Sequence, residues 1–249
     1  MSNPPKFKII VPTYKRAYTL EKSLFNDLSQ NTSVFFVGVK GTEAEYRTKL
    51  SKKIEYIVLP DEVEGSLPRK RNWCLDNLWK DEDFLVFMDD DVTDLLYLLG
   101  DKPIPVPRED IGEILISNYE LAKIFGSVTF GFASMPQPRN IIGSRFNMFS
   151  TTSIFSEIII GYLVNKYRYD EEIKIKGDVE ILCNILYHEN ILFKNNMFAV
   201  GGISANCSGS GGLRSVGNRA NIEADQKRIS ERYGSHIAKY MRKLKSQYY

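Results

Sequence analysis

Three consecutive aspartates, Asp89, Asp90 and Asp91, follow directly after the apolar run at residues 84–88. An uninterrupted run of this length, rich in Phe and Val, is typical of a strand that is buried on both faces of a mostly parallel sheet. Three carboxylates at the end of such a strand repel one another unless a divalent cation neutralises them. Because ligands of open α/β sheets bind at the carboxyl ends of the strands, this segment predicts the functional site. The alternative is a solvated turn, or a helix that is capped from Asp91.

A second candidate group is a basic segment that ends in an asparagine: Arg69, Lys70, Arg71 and Asn72. Pro68 fits the first turn of a helix that is predicted over residues 69–79. The N-terminus of a helix favours anions, and arginine can fork onto a phosphate or a base carbonyl. The alternative is a basic first turn that pairs with Glu62 or Glu64.

The elements that would position these groups alternate regularly along the first part of the chain. Apolar runs predict strands at residues 7–11, 34–39, 54–59 and 84–88, and helical patterns predict helices at residues 20–28, 43–50 and 69–79. This β-α-β-α-β-α-β order predicts an α/β fold with a mostly parallel, doubly wound sheet and right-handed crossovers. No G-x-G-x-x-G segment follows the first strand, so the sequence lacks the dinucleotide-binding fingerprint.

The second half is less regular. Residues 101–108 are rich in proline and predict a loop, residues 110–125 and 179–188 predict helices, and residues 127–133, 146–160 and 191–200 predict strands with connecting loops. A segment rich in glycine and serine, residues 201–217, predicts a loop whose backbone N–H groups can approach an anion, and a flexible linker is the alternative. A basic helix is predicted over residues 222–245, with a break at Gly234.

Composition restricts the partners and the compartment. The chain has a net charge of +2, but residues 208–249 hold nine Lys or Arg against three acids, which suggests an anionic partner; a solvated helix face is the alternative. Three widely spaced cysteines without a CxxC pair fit a reducing compartment. No apolar stretch has the roughly 18 residues of a membrane span, and the N-terminus does not resemble a signal peptide. We therefore expect a cytoplasmic protein with no membrane partner, a main domain at residues 1–217 and a basic helical extension at residues 218–249.

Four segments resemble, in this order, the GT-A class of nucleotide-sugar glycosyltransferases, especially its family-2-like members. They are IIVPTYKR (residues 9–16), SLPRKRNWCL (66–75), FLVFMDDDV (84–92) and YDEEIKIKGDVEILCNIL (169–186). Members of this class have a first strand with a Pro-Thr-Tyr/Asn-x-Arg loop, an Ala-Arg-Asn-type helix start, a strand ending in Asp-x-Asp, and a Glu-Asp motif that opens a helix. The resemblance covers about residues 7–190 and implies a GT-A, Rossmann-like fold.

A narrower resemblance is to the TET-associated glycosyltransferases and their bacteriophage relatives. It rests on VGVKGTEAEYR (residues 37–47), VLPDEVEGSLPRKRN (58–72), the triple aspartate and SGSGGLRS (208–215). That branch is linked with sugar transfer onto hydroxymethylated pyrimidines in DNA. It implies 5-hydroxymethylcytosine or a related DNA base as the acceptor, and the host cytoplasm as the location if the chain comes from a phage.

The resemblance implies which residues contact the nucleotide donor: Pro12, Tyr14, Arg16, Arg69, Arg71, Asn72, Asp89 and Asp90. Asp89 and Asp91 match the two aspartates of Asp-x-Asp, and alternate side chains of an extended segment share a face. These two residues are therefore expected to hold Mn²⁺ or Mg²⁺, which prefer carboxylate and diphosphate oxygens, while Asp90 is expected to point elsewhere. Tyr14 is expected to stack on the base, and an exposed loop aromatic is the alternative.

The resemblance implies Asp178 as the catalytic base, because it matches the second position of the Glu-Asp motif. In the inverting branch this carboxylate takes the proton of the acceptor hydroxyl. The preceding residue is Gly177 rather than Glu, so a helix cap at Asp178 and a base at Glu180 stay open as alternatives. His188 is interpreted as a cap or a surface group rather than a metal ligand. The glycine-rich loop at residues 201–217 is expected to fold over the diphosphate or the acceptor through Ser210, Gly211, Gly212 and Arg214.

These observations predict a metal-dependent, inverting glycosyltransferase that uses a nucleoside-diphosphate sugar, with a UDP-sugar favoured, and a hydroxymethylated base in DNA as the favoured acceptor. One alternative is transfer to a glycan, a lipid or a small molecule. A second is an inactive module that binds nucleotide sugars or nucleic acid, which the departure at Gly177 keeps open.

Overall fold

A computed structural model describes residues 4–28, 32–98, 102–133, 147–202 and 219–234. Its strands are β1 (Phe7–Pro12), β2 (Val34–Gly38), β3 (Glu55–Val58), β4 (Phe84–Met88), β5 (Val92–Tyr97), β6 (Ile104–Pro105), β7 (Thr129–Ala133), β8 (Phe149–Ser150), β9 (Ile159–Tyr162) and β10 (Phe193–Gly202). Its α-helices are α1 (Phe25–Leu28), α2 (Glu43–Arg47), α3 (Leu67–Leu78), α4 (Ile111–Ile124), α5 (Gly177–Glu189) and α6 (Arg219–Tyr233).

The described strands form one mixed sheet in the order β3-β2-β1-β4-β9-β7-β10-β5-β6, and β8 pairs with β10. The neighbours β3, β2, β1 and β4 are parallel, as are β7 and β10. Strand β9 runs antiparallel between β4 and β7, and β5, β6 and β8 also pair in antiparallel fashion. The predicted α/β class is confirmed, and the parallel order holds for the first half of the chain, whereas the second half makes the sheet mixed.

Strand β4 lies inside the sheet and is buried on both faces, as its composition predicts. All five of its residues have 0% exposure. Phe84, Val86 and Met88 face a cluster that includes helix α4, while Leu85 and Phe87 face a second cluster that includes helices α3 and α5. The two-residue alternation of a strand therefore fills both layers of the core and leaves the carboxyl end of β4 open between them.

Three segments differ from their predictions. The helix expected over residues 20–28 is a 3-10 segment (Ala17–Lys22) followed by the short α1, because the backbone is extended at Ser23. The alternative of a helix from Asp91 is wrong, because Val92–Tyr97 forms β5 and pairs with β10. The proline-rich loop contains β6, which pairs with β5.

The C-terminal helix α6 packs against α5. Its Ile229 is 1% exposed and lies in a small apolar cluster with Ile173, Val179 and Cys183. The predicted continuation of this helix beyond Gly234 lies outside the described residues, and the domain boundary at residue 217 stays a prediction. No helix in the described part of the chain is both long and apolar enough to cross a membrane.

Candidate functional site

A cavity of about 110 Å³ lies at the carboxyl end of β4, beside the first turns of α3 and α5. Arg71 from α3, Asp89 after β4 and Asp178 from α5 all line it. Glu157 and Tyr169, from the segments around β9, complete its polar wall. Three residues from three separate sequence motifs therefore meet in one recess, where the open end of the central strand provides the space.

The guanidinium of Arg71 bridges two carboxylates of this cavity. Its Nη1 donates to Oε2 of Glu157, and its Nη2 donates to Oδ1 of Asp89 at 3.2 Å. The side chains of Arg71 and Glu157 are only 3% and 2% exposed. The guanidinium also lies 5.6 Å from the ring centroid of Phe87 and 5.4 Å from that of Tyr169. Its Nε is buried without a hydrogen-bond partner among the described groups, so a ligand or a water would be needed to satisfy it.

The local sequence explains why α3 places Arg71 at the cavity. The hydroxyl of Ser66 caps the helix by accepting from the backbone N–H of Arg69 at 3.4 Å, and Pro68 lies in the first turn. The helix therefore begins two residues before the predicted start, at Leu67. Arg71 then falls on the face of the first turns that packs against the end of the sheet.

The other two basic residues of the segment do not reach the cavity. Arg69 is 43% exposed, donates to the backbone oxygen of Glu62 at 3.0 Å and pairs with Glu171 at 3.5 Å. Lys70 is buried and pairs with Glu64 at 3.4 Å. The alternative of a basic first turn that pairs with Glu62 or Glu64 therefore holds for Lys70, whereas the carboxylate partner of Arg69 is Glu171.

Asn72 also lies outside the cavity, but it supports one wall. Its Nδ2 donates to the backbone oxygen of Tyr169 at 3.0 Å, and its Oδ1 accepts from the backbone N–H of Tyr169 at 2.8 Å. The hydroxyl of Tyr169 in turn donates to Oε1 of Glu157 at 3.0 Å. Asn72 thus fixes the ring that packs on the Arg71 guanidinium.

The three aspartates point in two directions because the chain turns at Asp90 and Asp91. Asp90 accepts from the Thr13 hydroxyl at 2.6 Å and from Nη1 of Arg16 at 3.1 Å, and the same Nη1 lies 3.4 Å from Oδ2 of Asp91. The extended triplet assumed from the sequence is therefore wrong, and Asp91 shares its arginine with Asp90 while Asp89 pairs with Arg71. Asp90 points toward the loop after β1, away from the cavity, as expected.

Two carboxylates of the cavity have unusual acidities. Desolvation raises the pKa of Glu157 to about 7, although Arg71 opposes the shift, and the nearby charge of Asp178 adds to it. Desolvation also raises the pKa of Asp89 to about 7, opposed by Arg71 and assisted by Asp91. The Asp89 side chain keeps 38% exposure toward the cavity, so solvent or a bound cation can relieve its charge. Such acids in a cleft are typical of functional sites.

A divalent cation at this site would have to be held partly by substrate. Among the described residues, no group of three or more His, Cys, Asp or Glu side chains converges as a metal site. Mg²⁺ is commonly held by only one or two protein carboxylates, with waters and substrate phosphates in the other positions. Asp89 lines the cavity and could take this part, whereas Asp91, the other predicted ligand, pairs with Arg16 and does not line the cavity.

The loop after β1 presents an aromatic ring and several cations. Pro12 ends β1 and is buried, whereas the Tyr14 side chain is exposed. The ammonium groups of Lys15 and Lys70 lie 5.2 and 5.1 Å from the centroid of the Tyr14 ring. Lys15 adopts a φ of 53°, which is uncommon for a residue other than glycine and sets the direction of the loop. The ring of Tyr14 is therefore exposed, and two ammonium groups lie close to it.

Asp178 lies in the first turn of α5, and the cap position is occupied by Lys176. The alternative of a helix cap at Asp178 is therefore wrong. A Cβ at Gly177 would lie 3.2 Å from Cγ of Pro68. A side chain at position 177 would therefore require Pro68 to move by a few tenths of an ångström.

The alternative base, Glu180, is turned away from the cavity. Its side chain is 2% exposed and accepts from the hydroxyl of Tyr233 at 2.6 Å, from Nη1 of Arg232 at 3.1 Å and from the backbone N–H of Asp170 at 3.2 Å. These contacts occupy Glu180 in binding α6.

The remaining predictions concern the surface and the glycine-rich loop. His188 is exposed in the last turn of α5, with its ring centroid 5.2 Å from that of Tyr187, which agrees with a surface group. Ser210, Gly211, Gly212 and Arg214 lie outside the described residues.

Sequence reasoning missed Glu157. The segment before β9 has no regular periodicity that would place it on a predicted element. The available signal is an acid within the run FSEIII, because burying a carboxylate among apolar neighbours is costly unless it is paired.

The fold and the site together define an α/β protein with an acid-rich cavity at the end of a central strand. No family model and no curated protein matches the sequence. Solved structures show partial likeness. The 4-diphosphocytidyl-2C-methyl-D-erythritol synthase of Anaerococcus prevotii is 12% identical, with a TM-score of 0.34 over 53% of this chain and 56% of that chain.

Two further structures are similar to a comparable degree. The A197 protein from STIV is 12% identical, with a TM-score of 0.43 over 80% of this chain and 85% of that chain. The glycosyltransferase GlyE of Streptococcus pneumoniae is 13% identical, with a TM-score of 0.25 over 48% of this chain and 39% of that chain. TM-scores this low carry no functional argument, so the case for an activity rests on the site itself.

Proposed function

We propose that this protein is a glycosyltransferase that takes its sugar from a nucleoside-diphosphate donor, with UDP-sugars favoured. The observation that supports this proposal is the meeting of Arg71, Asp89 and Asp178 in one cavity. Each of these residues belongs to a different motif of the glycosyltransferase resemblance. A chance resemblance between short motifs would not be expected to bring all three side chains to one recess.

The size of the cavity suggests how a donor would lie. At about 110 Å³ it is smaller than the ~300–1,000 Å³ that is typical of sites for whole drug-sized ligands. We therefore place the sugar in the cavity and the nucleotide along the open edge of the sheet, toward the exposed ring of Tyr14. Stacking on this ring would bind the base.

The chemistry is a direct displacement. Asp178 accepts the proton of the acceptor hydroxyl as that oxygen attacks the anomeric carbon. The bond from the anomeric carbon to the diphosphate oxygen breaks, and the configuration inverts. Mn²⁺ or Mg²⁺ held by Asp89 would offset the negative charge on the departing diphosphate, and Asp91 would have to leave its pair with Arg16 to join it. Arg71 holds Asp89 and Glu157 in place around the sugar.

For the acceptor we propose a hydroxymethylated base such as 5-hydroxymethylcytosine in DNA. If the chain comes from a phage, the reaction would take place in the cytoplasm of the host cell. A base in a duplex would have to be extruded to reach the cavity. The support is the narrower sequence resemblance together with the basic C-terminal segment. Three cations of α6 already pair within the molecule: Lys227 with Glu231, and Arg228 and Arg232 with Asp170. Contacts to DNA would then fall to the other basic residues of the C-terminal segment.

A donor screen tests this proposal. The protein is incubated with Mn²⁺, a panel of nucleoside-diphosphate sugars, and hydroxymethylated or unmodified DNA, and both the released nucleotide and the DNA mass are measured. We expect one donor to add a sugar mass to the modified DNA only. Release of nucleotide without a gain in DNA mass would refute the DNA acceptor, and no release with any donor would refute the glycosyltransferase.

The variant Asp178→Asn tests the assigned base, with Glu113→Gln as a matched control, because Glu113 is an exposed acid in the first turn of another helix, α4. We expect Asp178→Asn to keep UDP binding and to lose turnover by about 100-fold or more, as is typical when a general base is removed. Full turnover in this variant would show that Asp178 is not the base.

A further inference from the structure

The C-terminal helix α6 holds the loop that leads into α5. The carboxylate of Asp225, which is 4% exposed, accepts from three consecutive backbone N–H groups, those of Lys174, Ile175 and Lys176, at 3.2, 2.7 and 3.1 Å. Successive N–H donors that converge on one anion form a nest, and hydrogen bonds to a charged acceptor are the stronger kind. The start of α5 has no side-chain cap of its own, so Asp225 provides the anion at this helix N-terminus from another element.

Two arginines of α6 form a second set of contacts. Nε of Arg228 lies 2.6 Å from Oδ2 of Asp170, and Nη1 of Arg232 lies 3.1 Å from both Asp170 and Glu180. The side chains of Asp170 and Glu180 are only 8% and 2% exposed, so these pairs are partly screened from water. Arg228 and Arg232 therefore bind α6 to both ends of the segment that precedes and opens α5.

The held segment is one wall of the candidate active site. Two residues of the nest, Lys174 and Ile175, line the cavity. The cavity is also lined by Gly177 and Asp178, which follow the nest directly in the chain. The opposite wall is made by Arg71 and Asp89, which pair with each other, and Arg71 also donates to Glu157 and Tyr169. A change at Asp225 would therefore move one wall and leave the other in place.

We propose that α6 is part of the catalytic unit, and that Asp225 is a positioning residue that sets the place of the candidate base Asp178. The role of Asp178 rests on the proposed function, whereas the hold of Asp225 on residues 174–176 does not. The helix is then an integral support of the site rather than a separate basic extension, and its acid at position 225 matters more for activity than its positive charge.

The test uses the full chain with Asp225→Asn, which keeps the size of the side chain and removes its charge. An amide can accept from the nest through one oxygen only, and its NH₂ group faces the remaining N–H donor. Lys227→Ala is the control, because Lys227 lies on the same helix in an exposed pair. Asp225→Glu restores a carboxylate on a longer side chain and tests rescue.

Three measurements are made on each variant: UDP affinity by calorimetry, turnover with the donor found in the screen, and amide hydrogen exchange of residues 170–180. For Asp225→Asn we expect faster exchange at residues 174–176, unchanged UDP affinity, and a turnover lower by about tenfold to 100-fold, since a misplacement of about 1 Å can cost this much. Asp225→Glu should regain part of the turnover, and Lys227→Ala should match the wild type.

The outcomes separate this inference from the proposed function. Unchanged exchange in Asp225→Asn would overturn the hold on the loop, whatever the activity. Faster exchange with unchanged turnover would reduce α6 to a structural element and overturn the positioning role. If the wild type shows no turnover with any donor, the proposed function is refuted, and so is the positioning of a base. The exchange measurement would still show whether Asp225 holds residues 174–176. Should Asp225→Asn not fold, Arg228→Gln removes the neighbouring contact and is read by the same three measurements.

Discussion

The buried carboxylate of Glu157 makes a sharp prediction about how stability depends on pH. Its side chain is 2% exposed, and it accepts from Arg71 and from the hydroxyl of Tyr169. Desolvation nevertheless raises its pKa from an ordinary 4.5 to about 7. A carboxyl with a higher pKa in the folded than in the unfolded chain holds more protons when folded, so the folded state loses stability as pH rises between these two values.

The magnitude follows from the two pKa values. One pKa unit corresponds to about 1.4 kcal/mol, so the ionisation of Glu157 lowers the free energy of unfolding by about 3 kcal/mol between acidic and neutral pH. This loss is absent below the unfolded pKa and complete above about pH 7. Glutamine has nearly the same shape as glutamate and does not titrate, so Glu157→Gln should not lose this unfolding free energy as the pH rises. It also removes one of the charges that raise the pKa of Asp89, which changes the pH dependence in the same direction.

We therefore compare the unfolding free energy of Glu157→Gln with that of the wild type. Between pH ~5 and pH ~8 the variant should gain about 3 kcal/mol relative to the wild type. Weakening the pairing of Arg71 adds a cost of about 1–3 kcal/mol that is nearly constant over this range. The measurement is urea unfolding at a series of pH values. The control is Glu120→Gln, because Glu120 is a 50% exposed acid paired with Lys123, away from the cavity. Parallel pH profiles for Glu157→Gln and the wild type would refute the reasoning, since they would mean that Arg71 keeps Glu157 ionised throughout.

Three further predictions concern the core, the β1 loop and a thiol. Gly161→Ala should lower the unfolding free energy by about 1–3 kcal/mol in urea, because a Cβ there would overlap the ring of Phe130 on the neighbouring strand; an unchanged midpoint would contradict this. Thr13→Val should cost about 1–3 kcal/mol, because it leaves buried Asp90 without a 2.6 Å hydrogen bond, and Thr13→Ser should recover most of the loss. Burial raises the pKa of the Cys74 thiol to about 12, so iodoacetamide should label Cys74 only after unfolding, as checked by peptide mass mapping; labelling of the native protein at neutral pH would contradict the burial.

The first half of the fold could be predicted because its signals are local. The run FLVFM is typical of a strand that is covered on both faces, and α3, with twelve residues, is long enough to show a helical pattern of its own. The two earlier helices, α1 and α2, have only four and five residues, and the first of them differs from its prediction. The position of β9 between β4 and β7 could not be predicted in this way. In its antiparallel pairing with β7, Gly161 lies against the ring of Phe130. A glycine in an apolar run indicates a close approach, but the sequence does not identify the side chain that approaches it.

Part of the error at the site could have been avoided from helix geometry alone. Successive residues of an α-helix are about 100° apart, so Arg69 and Arg71 lie about 200° apart and cannot both face one cavity. The structure follows this rule, with Arg71 buried at the cavity and Arg69 exposed beside Glu171. The helical pattern of the segment favours Arg71, because the buried residues Cys74 and Leu75 lie three and four positions further on.

The turn at Asp90 changes the reason why the aspartate triplet is tolerated. From the sequence, a cation was the natural way to offset three adjacent carboxylates. In the structure, Arg16 offsets Asp90 and Asp91, and Arg71 offsets Asp89, so the two arginines come from two different motifs. Arg71 must also serve Glu157, and Asp178 adds a further charge nearby.

Around this end of β4, the described part of the chain therefore places five carboxylates against two guanidinium groups, with Lys174 as an exposed third cation at the cavity. Desolvation is the main cause of the pKa values near 7 at Asp89 and Glu157, and the surplus negative charge adds to it even beside Arg71. Protons, a divalent cation or the hydroxyl groups of a ligand can each offset it. A neutral, hydroxyl-rich ligand together with a cation would satisfy both the spare acceptors and the spare charge, and a sugar carried on a metal-bound diphosphate is a ligand of this kind.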